Sequence, residues 1–231
     1  MTTMTLDRQL GYEDLPALIA RMTGDEKHEA AAHSTMDVVW VLYDRVLNVS
    51  PDTADDPARD RFYLSKGHGP MAYYATLAAK GFIPVEWLSR WGRFDSPLGH
   101  HPDRRLVPGV EIGSGSLGHG LPMAVGTALG LRARGIDSRV VVLVGDAELD
   151  EGSNQEAIEV AAALRLANLT VVAVDNSSAT YRPWARIADR FAAQGWDAAT
   201  VNGRDHDELE AALTRRGVHQ PTAVVAEIQG R

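Results

Sequence analysis

One run of apolar residues, "VVVLV" (140–144), stops at Gly145-Asp146, and a second, "LTVVAV" (169–174), stops at Asp175-Asn176. Both read as buried strands of a parallel sheet, where ligands gather beyond the carboxyl ends. Neighbouring strands lie about 5 Å apart. Asp146 and Asn176 can therefore share one hard cation through a carboxylate and an amide oxygen. Mg²⁺ takes few protein oxygens and completes its shell with water and phosphate oxygens. Gly145 and the small Ala147 allow close backbone approach, and the helix that follows offers free amide hydrogens to a phosphate. A single Asp at a strand end is common; the pair, one helix and about thirty residues apart, is far more specific.

A second phosphate signal is "GSGSLGHG" (113–120), which contains the Gly-x-Gly-x-x-Gly spacing of a dinucleotide fingerprint. That reading requires a buried strand before the glycines and an acidic residue about 20 residues later. The preceding "RRLVPGVEI" carries Pro108, and position 138 is a serine in a loop, so neither requirement is met. The alternatives at this point are a cradle for another phosphate and a plain glycine turn into a helix. Histidines 68, 100 and 101 lie in Gly-rich or Pro-containing segments and can exchange protons near neutral pH.

The elements that would position these groups alternate. Helices are expected over 12–22, 33–47, 70–80, 117–134, 153–166, 184–194 and 206–216, and strands over 139–144, 169–174, 197–201 and 222–228. Within 33–47, Met36, Val39, Trp40 and Tyr43 fall on one helical face, which predicts an amphipathic helix. Residues 48–63 read as a Pro/Asp-rich loop and 92–114 as a long functional loop. Apolar strands alternating with helices predict an α/β fold, a parallel sheet covered by helices on both faces. The expected organisation is an N-terminal segment, 1–24, and one domain, 25–231.

The 231 residues are 45% hydrophobic, enough for a sizeable core, and the net charge of −8 argues against nucleic acid and anionic membrane as partners. The absence of cysteine excludes disulfides and thiolate chemistry. The opening residues show no signal peptide and no stretch has membrane-spanning length, so a cytoplasmic protein is expected.

"GDAELDEGSNQEAIEVAAALRLANLTVVAVDNSS" is similar to the thiamine-diphosphate signature Gly-Asp-Gly, about thirty residues, Asn-Asn. "LSKGHGPMAYYATL" (64–77) and "GHHPDRRLVPGVEIGSGSLGHGLPMAVGTALG" (99–130) resemble transketolase segments, and "HEAAAHSTMDVVWVLYDRVLNVSP" (28–51) resembles that family's opening helix. The order is kept from about residue 25 onward, and the likeness is greatest to the N-terminal subunit of split transketolases.

This resemblance implies thiamine diphosphate with Mg²⁺ or Ca²⁺. Asp146, Asn176 and the Ser178 carbonyl would be metal ligands, and Gly115, Ser116, Leu117, Gly145 and Ala147 would lie against the cofactor. His68 would stand beside the diphosphate, while His101 and His28 would bind the hydroxyls of a ketose phosphate donor, His101 also moving a proton. Glu151 matches an acidic residue that reaches the dimer interface in relatives. The glutamate that activates the cofactor lies in a pyrimidine-binding domain with no counterpart here. The resemblance therefore implies a partner, a C-terminal subunit carrying that domain, in a heterotetramer that transfers a two-carbon ketol unit.

Four departures stand out: Ala147 for Gly, Ser177 for Asn, His119 for Gln, and a shortened loop after Asn176. With the ending "AEIQGR", where the family continues to another histidine, they suggest a trimmed site mouth. Three alternatives remain at this level: a ketoacid decarboxylase or dehydrogenase component, a two-carbon transferase to a carrier protein, and a catalytically degenerate scaffold.

Overall fold

A computed structural model describes residues 9–24, 31–179 and 185–228. Five strands form one parallel sheet in the order β1-β2-β3-β5-β4: β1 Arg61–Leu64, β2 Val140–Gly145, β3 Leu169–Asp175, β4 Asp197–Asn202 and β5 Thr222–Glu227. β2 is buried along its whole length and β3 except at Asp175, as expected of strands covered on both faces. Their register pairs Gly145 with Val174, which brings Asp146 and Asn176 to one edge.

Helices fill both faces. On one lie α1 (Leu15–Ile19), α2 (Met36–Val41), α3 (Pro70–Ala79) and α7 (His206–Thr214), packed on Phe62, Leu143 and Val172. On the other lie α4 (Gly120–Ala133), α5 (Gly152–Ala163) and α6 (Ile187–Ala193), packed on Tyr63, Val142 and Val171. Alternate residues of one strand thus serve opposite cores, as the period of two requires. α1 belongs to the first core, with Leu15 and Ile19 at 0% and 1% exposure. Among the described residues no helix is long and apolar enough to cross a membrane.

Two local expectations are corrected. Residues 61–64, assigned mostly to a loop, form β1, pairing Arg61 with Val140 and Leu64 with Leu143. The helix begun at α2 is not amphipathic: all six residues Met36–Val41 are buried, Asp37 included, and the chain continues through a π-turn over Leu42–Val46. α2 lies beneath α3 and α7 rather than on the surface, so polarity is needed on no side. Pro70 does open α3, and Gly81 ends it with φ +78°.

Candidate functional site

A cavity of about 510 Å³ opens at the carboxyl ends of β1, β2 and β3. β1 leads into Ser65 and Lys66, whose amides both donate to the Leu143 carbonyl and so extend the β1–β2 ladder. Lys66, Gly67 and His68 form one wall, Gly145, Ala147 and Glu148 the floor, and Asn176 with Ser178 the opposite wall. The glycine loop supplies Gly115 and Leu117, and the long loop supplies His101.

The glycines are close-packing devices. A Cβ on Gly115, whose φ is +120°, would lie 2.6 Å from His101 Cγ. One on Gly118 (φ +78°) would meet Ser153 Oγ at 2.5 Å, and one on Gly120 would meet Ser65 Cβ at 2.4 Å. Gly115 therefore seats a histidine, Gly118 lets the loop pack on the start of α5, and Gly120 sets the start of α4 against the sheet edge.

Asp146 is 4% exposed. Its carboxylate accepts from the Ser178 amide at 2.7 Å, the Ser178 hydroxyl at 2.6 Å and the Ala179 amide at 3.0 Å. Asn176 donates from Nδ2 to Ser34 Oγ at 3.3 Å, and its Oδ1 is buried with no hydrogen-bond partner. A buried amide oxygen of that kind leaves a desolvation cost uncompensated. With the Asp146 carboxylate at the adjacent strand end, it offers the kind of oxygen donor that a hard divalent cation takes. Among the described residues no group of three His, Asp or Glu could hold a metal unaided. A cation here would need amide, carbonyl and solvent or ligand oxygens besides the one carboxylate.

Ala147 begins a 3₁₀ turn, Ala147–Asp150, so no glycine conformation is required of it, and its side chain lines the cavity. Ser177 adopts left-handed geometry, φ +59°, and its amide donates to Asp175 Oδ1. His68 and His101 stand at the exposed mouth. Burial, assisted by His68 and His100, holds the His101 pKa below the ordinary histidine value, although a hydrogen bond with the Gly67 backbone opposes this. His100 turns away and packs edge-on against Trp91, with ring centroids 4.6 Å apart. Ser116 is exposed and absent from the cavity wall. Glu151 precedes α5 as its N-cap and is exposed. His28 lies outside the described residues.

Two wall residues escaped the sequence reading. Glu148 is 2% exposed and accepts from the Ser65 hydroxyl and from the amides of Gly118 and Gly145. Burial raises its pKa, while those donors oppose the rise. Lys66 is 7% exposed, and burial lowers its pKa to about 8 against the pull of Asp146 and Glu148. Its signal lay in the quoted "LSKGHG", where only the histidine was weighed.

Residues 20–228 match the family described as transketolase, thiamine diphosphate binding domain. The chain belongs to this family. Transketolase from Campylobacter jejuni superposes with a TM-score of 0.81 at 25% identity, covering 98% of this chain and 38% of that one. One of the subunits of an apulose-4-phosphate transketolase from Actinobacillus succinogenes is 45% identical over 145 residues, which is 63% of this chain and 52% of the relative. A Rhodococcoides fascians protein named ferredoxin fas2 is 55% identical over 221 residues, 95% of this chain and 73% of its own length. These 231 residues contain no cysteine, so they offer no thiolate for an iron–sulfur cluster.

Proposed function

We propose that this chain is the diphosphate-binding subunit of a two-component, thiamine-diphosphate-dependent transketolase-like enzyme that moves a two-carbon ketol unit from a ketose phosphate to an acceptor. The observation that carries the reading is the buried, unpartnered Asn176 Oδ1 beside Asp146, at the edge of a cavity that also holds His68 and His101. The Actinobacillus succinogenes relative is named as one subunit of a transketolase, which supports a two-component organisation.

When bound, thiamine diphosphate supplies the carbanion equivalent that takes a ketol unit from a ketose carbonyl. Asp146, Asn176 and the Ser178 carbonyl would hold Mg²⁺ or Ca²⁺ against the diphosphate. Gly115, Gly145 and Leu117 would shape the surface beneath the cofactor, and Ala147 its methyl-narrowed floor. His68 would face the diphosphate. His101, buttressed by Gly115 and kept toward its neutral form by burial, can accept a hydrogen bond or a proton from a donor hydroxyl. His28 is proposed to share donor binding. Because Ala147 sits in an ordinary helical turn, its methyl is weak support for a degenerate scaffold.

The test mixes the chain with a subunit carrying the pyrimidine-binding domain, as two copies of each, and follows ketose donor consumption. The chain alone should be inactive and the assembly active. His101→Ala should lower kcat/KM for the donor by about 10²–10⁴-fold with cofactor affinity kept, whereas His100→Ala, on the Trp91 side, should do little. Turnover by the purified single chain, or full activity in His101→Ala, would overturn the reading.

A further inference from the structure

Lysine is seldom buried without a carboxylate partner. Lys66 departs from this. Its stem runs beside Gly145, with Cγ, Cδ and Cε at 3.4, 3.7 and 3.7 Å from where a Gly145 Cβ would stand. Among the described residues its ammonium makes one long hydrogen bond, 3.4 Å to the His68 carbonyl, and no ion pair within 4.0 Å. The nearby carboxylates do not need it. Asp146 is taken up by Ser178 and Ala179, and Glu148 by Ser65, Gly118 and Gly145.

Among the described residues no arginine lines the cavity, and partial burial disfavours a charged His101. Lys66 is therefore the one Lys or Arg side chain in the cavity wall among the described residues. A diphosphate monoester brings roughly three negative charges at neutral pH, since each terminal phosphoryl group carries up to about two. A divalent cation offsets two of them, and Asp146 adds another negative charge. Anionic charge is left over in a site partly closed to water, where it is costly. A compact ammonium is a suitable point charge for phosphoryl oxygens.

Resting on the function proposed above, we infer that Lys66 is a diphosphate-binding residue: its ammonium is held in the cavity to pair with the phosphoryl oxygens that the cation leaves uncompensated. The inference also accounts for the observed geometry, in which the charge is desolvated yet keeps a single long contact among the described residues.

The test uses the assembled two-component protein, titrated calorimetrically with thiamine diphosphate and, separately, with inorganic pyrophosphate, each with Mg²⁺. Lys66→Met should weaken both ligands by a similar factor, about 10- to 100-fold. Lys66→Arg, which keeps the charge, should recover most of the affinity. Without ligand, Lys66→Met should melt no lower than the parent, because a desolvated charge has been removed; a purely structural lysine would melt lower. Affinity within about 3-fold of the parent would overturn the inference, as would weakening of thiamine diphosphate alone with pyrophosphate unaffected. If Lys66→Met does not fold, Lys66→Gln repeats the titration, and failure of both to fold would also overturn it. Should the parent assembly bind neither ligand, it is the proposed function that fails, a result distinct from parent binding with unchanged Lys66 variants.

Discussion

Asp37 and Asp146 are almost equally buried, at 2% and 4% exposure, yet the fold provides for them differently. Asp37, on α2, is charge-balanced from within. Arg204 donates to it at 2.6 Å, His206 Nε2 lies 3.0 Å away, and the Tyr12 hydroxyl donates to the same oxygen as His206. These partners tie α2, the turn before α7 and the N-terminal segment together. Among the described residues the hydrogen bonds to Asp146 come from neutral donors, Ser178 and Ala179, and the partnerless Asn176 Oδ1 lies at the adjacent strand end. Asp37 finds its cation inside the chain; on the function proposed above, Asp146 would keep neutral, exchangeable partners until a cation arrives.

The largest effect that tests this contrast is on binding. Asp146→Ala should lose Mg²⁺-dependent cofactor binding in the assembled protein, by more than about 100-fold. Its stability cost should be only about 1–2 kcal/mol, because Ser178 is exposed and water can take over its donors. Calorimetry reads the first quantity and thermal melting the second. A variant that binds as tightly as the parent would place the cation elsewhere.

The converse belongs to Asp37. Asp37→Asn removes the anion facing Arg204 and His206, and breaking a buried pair typically costs about 3–5 kcal/mol. Arg204 is itself 42% exposed and can rehydrate, so about 2–3 kcal/mol is expected here. That corresponds to a fall in Tm of roughly 4–12 °C for a domain of this size. Cofactor affinity should change by less than about 10-fold, the remaining coupling passing through the His33 carbonyl, held by Arg204, and Ser34, which accepts from Asn176. Loss of cofactor binding without loss of stability would erase the distinction between the two aspartates.

The same contrast bears on what the sequence could disclose. The placement of Asp146 and Asn176 at one sheet edge was legible because each follows an apolar run, and β2, β3 and β5 were legible as such runs. β1 was not: its four residues follow an Asp/Pro-rich stretch, and its burial is imposed by pairing with β2. Without β1 the setting of Lys66 could not be seen, since its position depends on the ladder reaching Leu143. Glu148 was not legible because two of its donors, Ser65 and Gly118, are distant in sequence and reach it through tertiary packing. The Asp37 network was hidden similarly, joining residues 12, 37, 204 and 206 through tertiary packing alone.

The smallest effect concerns the turn that presents Asn176. Ser177 holds φ +59°, a left-handed conformation that costs an L-residue roughly 1–2 kcal/mol and that asparagine tolerates better than most. The thiamine-diphosphate signature that this segment resembles has a second Asn here, and the geometry supplies a conformational reason for it. Ser177 is exposed, so a larger amide meets no packed neighbour, and its backbone amide keeps the bond to Asp175 Oδ1. Ser177→Asn should therefore stabilise the chain by about 0.5–1 kcal/mol, a rise in Tm of roughly 1–4 °C, with cofactor affinity unchanged or slightly higher. Ser177→Val, whose β-branch is poorly suited to positive φ, should move Tm the other way and loosen Asn176, which lowers cation affinity while leaving the Asp37 network intact. If Asn and Val shift Tm in the same direction, the left-handed turn is not what Ser177 contributes, and the hold on Asn176 must then come from Ser34 alone.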